Sequence, residues 1–432
     1  MGKRGFPTRD SASVPHLIGV AEAQALVLDG VAPLATEIIP LLDALGRVLA
    51  EDIVADADIP PFRNSAMDGY AVRAADLAGA RRGTPVRLHV TAEGPAGYAP
   101  RGMVMPGTAI RIMTGAPLPP GADTVVRFED TDETGRPAGS TRPEVEIYVE
   151  QPAWVNVREA GEDIRAGALV LRAGTVLHPP ALGILASLGR LTATVYGRPS
   201  VAILSTGDEV AYPGATLRPG QIRDSNSYTL AALVRHYGGV PRLLGIARDS
   251  AADLTSALAA ACAADLVLTS GGVSVGDYDM VKDVLRTQGA IRLWQVRMKP
   301  GRPLAFGRLG GKPFLGLPGN PVAAYVSFEL FARPLILLFQ GHQEWRKAII
   351  RARLTEDVEN QSGRQHYVRA IVTQGPAGPL VRPAHEQGAG ILTSVLHANG
   401  LLIVPEGVTN AAAGTLVDVE PLHWLPGLLG LP

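Results

Sequence analysis

The chain has 432 residues. A single hydrophobic core does not normally hold so many residues, so this length predicts about three domains. Its 46% apolar and 19% charged residues are typical of a globular protein, and a formal net charge of -1 argues against general attraction to nucleic acid or to an anionic membrane. The single cysteine excludes a disulfide within the chain. Because no signal-peptide core and no run of about 18 apolar residues occur, we expect a cytoplasmic protein.

The first part of the chain predicts helices followed by an inserted β-domain. From Val20 to Val54 the apolar residues recur at intervals of three and four, with breaks at Gly30 and Pro33. From Pro60 to about Val157, short alternating runs such as VRLHV and VEIYV are separated by glycine and proline clusters, which is typical of β-strands. Strand and helix patterns then return, so the β-domain is predicted to be an insertion.

An alternation of strand, loop and helix begins near Arg198. Helices are predicted from Ser225 to Tyr237, from Ala251 to Ala263 and near Asp277 to Thr287, between apolar strand-like runs. This order predicts a parallel sheet with helices on both faces.

The C-terminal third predicts a long helix and a second β-domain. The pair of runs PLAFGRL and KPFLGLPG precedes an apolar helical segment in which Pro321 suits a first-turn position. After about Trp345, short alternating segments predict a small barrel or sandwich.

Polar and glycine-rich loops follow several strands of the predicted sheet, at the edge where doubly wound sheets bind ligands. Taken singly, these loops have structural explanations: Asp224 suits a helix N-cap, and Gly271-Gly272 and Pro318-Gly319 suit turns. Taken together, they predict a ligand site. Their charged residues are Asp208, Glu209, Asp224, Asp277, Asp279, Lys299 and Arg302.

The carboxylates at this edge predict a bound cation. Two carboxylates about 4 Å apart repel by roughly 4 kcal/mol at an effective dielectric constant near 20, so a converging set requires a positive charge between its members. Oxygen ligands favour Mg²⁺, and the absence of a His-Glu-x-x-His motif and of paired cysteines argues against zinc. Because a bound Mg²⁺ ion, Lys299 and Arg302 would all attract negative charge, we expect phosphate or another oxyanion as part of the substrate.

The loop SGGVSVGDYD, residues 270–279, permits other interpretations. Gly271 and Gly276 have the spacing of a Walker loop, but Asp277 stands where that motif has lysine. Gly272 to Gly276 spell the Gly-x-Ser-x-Gly elbow of serine hydrolases around Ser274, and histidines follow downstream. The elbow lacks a direct connection to the preceding strand and a His-Gly-Gly oxyanion motif, so the hydrolase remains the weaker alternative.

Nine segments in order resemble the molybdopterin molybdenumtransferases, or molybdenum insertases, a family that includes the C-terminal domain of gephyrin. The resemblance extends from about Val20 to about Val419. The segments are NSAMDGYAVR, IMTGAPLPPGADTVV, NVREAGEDI, STGDEV, GQIRDSN, SGGVSVGDYDMVK, MKPGRPLAFG, LPGNPV and ANGLLIVPEG.

The resemblance implies a multidomain α/β and β fold and an L-shaped homodimer. The implied domains are a helical linking domain (14–58 and 159–197), an inserted β-domain (59–158), a doubly wound α/β molybdopterin-binding domain (198–344) and a C-terminal β-barrel (345–432). The implied reaction takes adenylylated molybdopterin and molybdate, cleaves the pyrophosphate link with Mg²⁺, inserts molybdenum into the dithiolene and releases AMP.

The resemblance also implies roles for individual residues. The acidic residues implied in cleavage are Asp279, Asp224, Glu209, Asp163 and Asp68, with Mg²⁺ on Asp279 and Asp224. The nucleotide and pterin phosphates are assigned to Ser270, Gly271, Gly272, Ser274 and Gly276, and the pocket lining to Lys299, Pro318 and Pro321. The molybdate site is assigned to Arg369, Arg364 and Ser394. The residues that serve the partner subunit's cleft are Asp68, Thr114, Arg158 and Asp163.

The chain departs from the family pattern at several positions near the implied molybdate site. Ala389 and Ala323 stand where serines are common, and Gln295 and Arg302 where lysines are common. A tungsten-inserting relative and a gephyrin-like scaffold protein remain alternatives. As further partners, the resemblance implies a molybdopterin adenylyltransferase and apo-molybdoenzymes.

Overall fold

The computed structural model describes residues 17–133, 142–248, 250–272, 289–384 and 386–422. The chain forms two compact units, because residues 38–194 fold as an insertion between the two segments that make up the other unit. An inserted domain was predicted, and the four domain boundaries given above stay a prediction.

The first elements are β1 (Leu17–Ile18), helix α1 (Val20–Leu28) and β2 (Thr36–Pro40). The helical prediction for this segment is therefore correct for α1 and wrong for β2. Three of the five residues of β2 are β-branched and the last is proline, and such residues favour extended backbone over helix.

The inserted unit is mostly β-structure. Its elements are β3 (Ile53–Val54), β4 (Asn64–Ser65), β5 (Gly69–Val72), β6 (Arg81–Gly94), β7 (Thr108–Ile112), β8 (Thr124–Arg127), β9 (Glu144–Val149), β10 (Val157–Arg158), β11 (Leu169–Leu171), helix α2 (Pro179–Ser187) and β12 (Thr192–Tyr196). Strands β8-β5-β7-β6-β9 form a five-stranded sheet. Alternate residues of β5 pack on its two faces, Tyr70 and Val72 on one and Ala71 on the other.

Apart from β1, the strands of the other unit's main sheet follow β12 in the chain. Its elements as far as the last strand of that sheet are β13 (Ser200–Thr206), β14 (Val210–Ala211), β15 (Ile222–Arg223), α3 (Asn226–His236), β16 (Val240–Ala247), α4 (Ala251–Ala261), β17 (Leu266–Ser270), β18 (Gly289–Val296), β19 (Met298–Lys299), β20 (Pro303–Leu309) and β21 (Lys312–Leu317). The sheet order is β1-β18-β20-β21-β17-β13-β16.

The doubly wound arrangement is confirmed. Strands β16, β13, β17 and β21 are parallel, with α3 packed on one face and α4 on the other. Strand β20 differs from the predicted parallel sheet, because it runs antiparallel to β21. Gly310 and Gly311 have φ values of +55° and +80° between these strands, which permits a tight hairpin turn.

A closed five-stranded barrel follows, as predicted. Its strands are β22 (Ile350–Leu354), β24 (Gln365–Gly375), β25 (Gly378–Pro383), β26 (Gly400–Val404) and β28 (Leu416–Pro421). The order β24-β25-β22-β28-β26 closes through pairing of β26 with β24, and β19 adds to β24 in parallel. Two short strands, β23 (Val358–Glu359) and β27 (Asn410–Ala411), pair beside it, and a helical turn spans Thr393–Leu396.

The longest apolar helix of the described residues is Pro321–Phe339. It consists of Pro321–Ser327, a π-helical turn Phe328–Ala332 and Arg333–Phe339. It is the one described helix that is long and apolar enough to cross a membrane, and 89% of it is buried inside the protein. It packs in the same core as α1 and α3, so its hydrophobicity is explained by that core.

Candidate functional site

A cavity of about 440 Å³ opens at the carboxyl ends of β13, β17 and β21. This is the edge at which the sequence predicted a ligand site. Its lining is mostly polar side chains and glycine or proline loops. The lining residues are Ser205, Thr206, Glu209, Val210, Ile222, Arg223, Asp224, Ser225, Asn226, Ser270, Gly271, Gly272, Pro303, Pro318, Gly319, Asn320 and Pro321.

The glycine loop after β17 begins at the cavity. Gly271 has a φ of +95°, and a Cβ at this position would lie 2.8 Å from Thr206 O, so glycine is required there. Gly271 N donates to Leu317 O at 3.1 Å, which ties the loop to β21. The backbone therefore lines the cavity closely, as phosphate binding requires. Ser274, Gly276 and Asp279, predicted to continue this site, lie outside the described residues.

Two of the four described carboxylates of the predicted catalytic set, Asp224 and Glu209, line the same cavity. Asp224 is buried, and its Oδ1 accepts a hydrogen bond from Ser227 N at 3.0 Å. It therefore caps α3 with one oxygen, in agreement with the structural explanation of this residue. The carboxylate of Glu209 lies against Gly207. A Cβ added at Gly207 would be only 2.4 Å from Glu209 Oε2, so a side chain at Gly207 would displace this carboxylate.

The donor set at the cavity fits Mg²⁺ in chemical type. Glu209 and Asp224 supply hard carboxylate oxygens on one polar cavity, and the predicted third carboxylate, Asp279, follows β17 outside the described part. Within the described residues, no cluster of three histidine, cysteine or acidic side chains has metal-binding geometry.

Pro318 and Pro321 place a second loop on the cavity, together with an asparagine that the sequence analysis did not select. Asn226 Nδ2 donates to Ser270 Oγ at 2.8 Å and to Gly319 O at 2.7 Å. Its position, at the first residue of a helix after a strand edge, is the signal that could have identified it.

Arg369, predicted to bind molybdate, is fully buried, with a relative exposure of 0%. Its Nε donates to Ser394 Oγ at 3.1 Å and its Nη2 to Gly388 O at 3.2 Å. Nη1 is buried and has no hydrogen-bond partner among the described residues. Burial lowers the pKa of Arg369 to about 10, so the side chain remains a cation at neutral pH. A buried cation with a free donor is suited to binding an anion.

Gln387 holds the backbone of Arg369 and was also missed by the sequence analysis. Its Oε1 accepts from Arg369 N at 2.9 Å, and its Nε2 donates to Arg369 O at 3.0 Å. The adjoining loop reaches the cavity wall, because Val322 N, next to Pro321, donates to Ala389 O at 3.0 Å. The loop that contacts Arg369 is thus joined to the helix that borders the cavity.

Lys299 and Arg364 belong to a cationic group at the edge of the barrel and do not line the cavity. Lys299 pairs in register with His366, so both side chains lie on the same face of the sheet. Arg364 Nη1 donates to Met298 O at 3.1 Å, and burial, followed by the nearby Arg302, lowers its pKa. Such a concentration of positive charge fits an oxyanion.

His366 titrates far from its usual range. Burial, followed by Lys299, Arg369 and Arg364, lowers its pKa to about 4. Between pH 6.5 and 4 the unfolded chain therefore takes up a proton at this residue and the folded chain does not. Its contribution to stability is present above pH 6.5 and is lost as the pH falls toward 4, by about 3 kcal/mol.

We therefore expect His366→Gln to reduce the fall in unfolding free energy between pH 6.5 and pH 4. Urea titrations of the parent and the variant across this range measure the difference. Because the carboxylates titrate in both proteins, the difference between the two curves isolates His366. Parallel curves for the two proteins would show that His366 gains a proton equally in the folded and unfolded states.

The residues predicted to serve a partner subunit lie in the inserted unit and are exposed. Asp68 Oδ1 accepts hydrogen bonds from Thr114 N at 2.7 Å and Thr114 Oγ1 at 2.8 Å, which lower the pKa of Asp68. Arg158 pairs with Asn64 in β10–β4, and Asp163 N donates to Ile59 O at 3.0 Å. The structure thus brings Asp68 and Thr114 into contact with each other.

Three family models match the chain in succession. The model of the MoeA N-terminal region (domain I and II) matches residues 18–189, that of a probable molybdopterin binding domain matches residues 202–337, and that of the MoeA C-terminal region (domain IV) matches residues 351–422.

Curated proteins and a crystal structure are similar to nearly the whole chain. Molybdopterin molybdenumtransferase 2 of Mycobacterium tuberculosis is 41% identical over 398 residues, covering 89% of this chain and 94% of the relative. Molybdopterin molybdenumtransferase of Haemophilus influenzae is 37% identical over 400 residues, covering 91% and 96%. The crystal structure of a molybdopterin biosynthesis MoeA protein from Pyrococcus horikoshii superposes with a TM-score of 0.80 at 31% identity, covering 94% of this chain and all of that one.

Proposed function

Because the chain belongs to the molybdopterin molybdenumtransferase family, a transferase family of molybdenum cofactor biosynthesis, we propose that it converts adenylylated molybdopterin and molybdate to molybdenum cofactor and releases AMP. One observation carries this proposal. The cavity at the ends of β13, β17 and β21 combines a glycine loop and carboxylates, and a hydrogen-bonded loop joins its wall to a buried arginine with a free donor.

The cavity residues suit the nucleotide half of the substrate. The backbone around Gly271 and Gly272 and the hydroxyl of Ser270 bind and orient the phosphates, and Pro318 and Pro321 shape the opposite wall. Asp224 and Glu209, with Asp279, would hold Mg²⁺, which would neutralise charge on the pyrophosphate when bound. The carboxylates thereby favour cleavage of the phosphate link at this cavity.

The cationic residues suit molybdate. Arg369 Nη1 offers a fixed donor to a tetrahedral dianion, and Arg364 and Lys299 add positive charge nearby. Ser394 holds Arg369 in place, because its hydroxyl accepts from Arg369 Nε and donates to Ile391 O at 2.6 Å. Since burial keeps water away from Arg369, its hydrogen bonds to an oxyanion are stronger than they are at an exposed position.

A reconstitution assay tests the function. Purified protein is incubated with adenylylated molybdopterin, Mg²⁺ and molybdate, and both AMP release and activation of an apo-molybdoenzyme are measured. We expect both products, and neither without molybdate and Mg²⁺. Replacing molybdate with tungstate measures the metal preference, and AMP release without activation would contradict insertion.

Arg369→Ala is expected to raise the molybdate concentration needed for half-maximal insertion about thirtyfold. A charge-assisted hydrogen bond is worth about 2 kcal/mol, which corresponds to this factor. Binding of adenylylated molybdopterin should remain within about twofold, because Arg369 does not line the cavity. Arg351→Ala, at an exposed barrel arginine, is the matched control. An unchanged molybdate requirement would move the oxyanion site elsewhere.

We further propose a cytoplasmic homodimer in which Asp68, Thr114, Arg158 and Asp163 complete the partner subunit's cleft. Asp68→Asn and Asp279→Asn dimers should each be weakly active, and mixed dimers should regain about one working site. Mixing the two variants, with subunit exchange verified by differently tagged chains, measures this. No recovery of activity would count against a shared cleft. A molybdopterin adenylyltransferase and apo-molybdoenzymes are the partners proposed before and after this reaction.

A further inference from the structure

Asn226 connects three loops that are distant in the chain. Its single Nδ2 donates both to Ser270 Oγ, at the end of β17, and to Gly319 O, in the loop after β21. Because Gly319 O can only accept a hydrogen bond, the atom facing it must be the amide nitrogen, and the orientation of the side chain is fixed. One amide thus joins the start of α3 to two other walls of the cavity.

The loop that Asn226 holds has few other means of attachment. In Pro318-Gly319-Asn320-Pro321 both prolines lack a backbone N–H, so half of the loop cannot donate to its surroundings. The carbonyl of Gly319 is therefore an important point of attachment. Ala and Ser side chains are too short to replace the amide, and aspartate cannot donate to a carbonyl.

The amide oxygen of Asn226 adds to this picture. Oδ1 has no hydrogen-bond partner among the described residues, and Asn226 lines the cavity. Both printed contacts use the nitrogen, so the oxygen is held away from Ser270 and Gly319. The nitrogen of the Asn226 amide thus makes both contacts, and its Oδ1 has no hydrogen-bond partner among the described residues.

We propose that Asn226 is a positioning residue that holds Ser270 at the end of β17, the Pro318–Pro321 loop and the start of α3 at the spacing that binds the nucleotide part of the substrate. This role rests on the proposed function. It acts on binding, because the residues it contacts, Ser270 and Gly319, line the cavity. Its loss therefore weakens ground-state and transition-state binding to a similar degree, which raises KM and leaves kcat nearly unchanged.

The test compares Asn226→Ala with Gln340→Ala. Gln340 is buried and its Nε2 also donates to two carbonyl oxygens, Tyr237 O at 2.7 Å and Ile336 O at 2.9 Å, but it does not line the cavity. Both variants lose two hydrogen bonds, so both should be less stable. We expect Asn226→Ala to raise KM for adenylylated molybdopterin about tenfold with kcat within about twofold, and Gln340→Ala to keep the parent KM.

Ser270→Ala provides a second variant, which removes only one of the two contacts. It should raise KM by at least about threefold, since Ser270 also contacts the phosphates in the proposed function, and the combined Asn226→Ala and Ser270→Ala variant should raise KM by less than the product of the two single effects, since the two residues share one hydrogen bond. Additive effects, or a parent KM in Asn226→Ala, would overturn the role of Asn226 while leaving the proposed function intact. If the parent itself neither binds the substrate nor releases AMP, the proposed function fails and this role fails with it.

Discussion

Asp279→Asn is expected to bind adenylylated molybdopterin at least as tightly as the parent and to release AMP at least about a hundredfold more slowly. Asp279 follows the glycine loop that starts at Ser270, and that loop begins at the cavity lined by Glu209 and Asp224. Asparagine keeps the shape and the hydrogen bonding of aspartate but removes its charge. Electrostatic contributions of this kind are commonly worth about 3 to 4 kcal/mol in the transition state.

Substrate binding should not weaken in this variant, because removing a negative charge near the phosphates relieves repulsion. Calorimetry measures the binding, and a single-turnover assay measures AMP release. Asp265→Asn is a suitable control, since Asp265 precedes β17 at the opposite end of the strand and accepts from Ser200 N at 2.9 Å. If Asp279→Asn releases AMP at the parent rate, Asp279 takes no part in cleavage.

The sequence predicted the parts of the fold that follow from local patterns. Strand β13 alternates Val201 and Ile203 toward one core with Ala202 and Leu204 toward the other, as expected of a strand buried on both faces. The pattern failed at Thr36–Pro40, where apolar spacing compatible with a helix coincides with β-branched residues. Periodicity alone cannot distinguish the two over so short a segment.

The candidate site was predictable only where its residues follow strand ends. Glu209 and Pro318 follow strands of the main sheet and Ser270 ends another, whereas Asp224 follows β15, which pairs only with β14 in the described part of the chain; topology brings all four to the same cavity. Contacts between distant loops gave no such signal. Gln387 lies 18 residues from Arg369 in the chain, and its side chain makes two hydrogen bonds to the Arg369 backbone that only the barrel geometry creates.

The apolar helix Pro321–Phe339 contains a buried ion cluster around Glu329, within its π-helical turn. Glu329 is 1% exposed, and its Oε2 lies 2.8 Å from Lys347 Nζ and 3.6 Å from Arg333 Nε. The hydroxyl of Tyr237 donates to the same carboxylate at 2.9 Å, and that of Tyr325 at 3.2 Å. Several hydrogen bonds thus compensate for the burial of these charges.

We expect Glu329→Gln to lower the free energy of unfolding by about 3 kcal/mol, because the variant removes the carboxylate that pairs with the buried Lys347 and Arg333 and leaves Glu420 as their nearby carboxylate. Lys347 Nζ also donates to Pro421 O at 3.1 Å and Arg333 Nη1 to Trp345 O at 2.7 Å, so the same cluster attaches the helix to the barrel segments. Urea unfolding measures the loss.

The control variant Asp418→Asn breaks the exposed pair with Arg351 at 3.1 Å and should lower the free energy of unfolding by less than about 1 kcal/mol. Adding Lys347→Met to Glu329→Gln should restore part of the lost stability, because it removes the buried cation that pairs most closely with Glu329 in the parent. Equal, small losses for Glu329→Gln and Asp418→Asn would show that the buried charges contribute no more than an exposed pair.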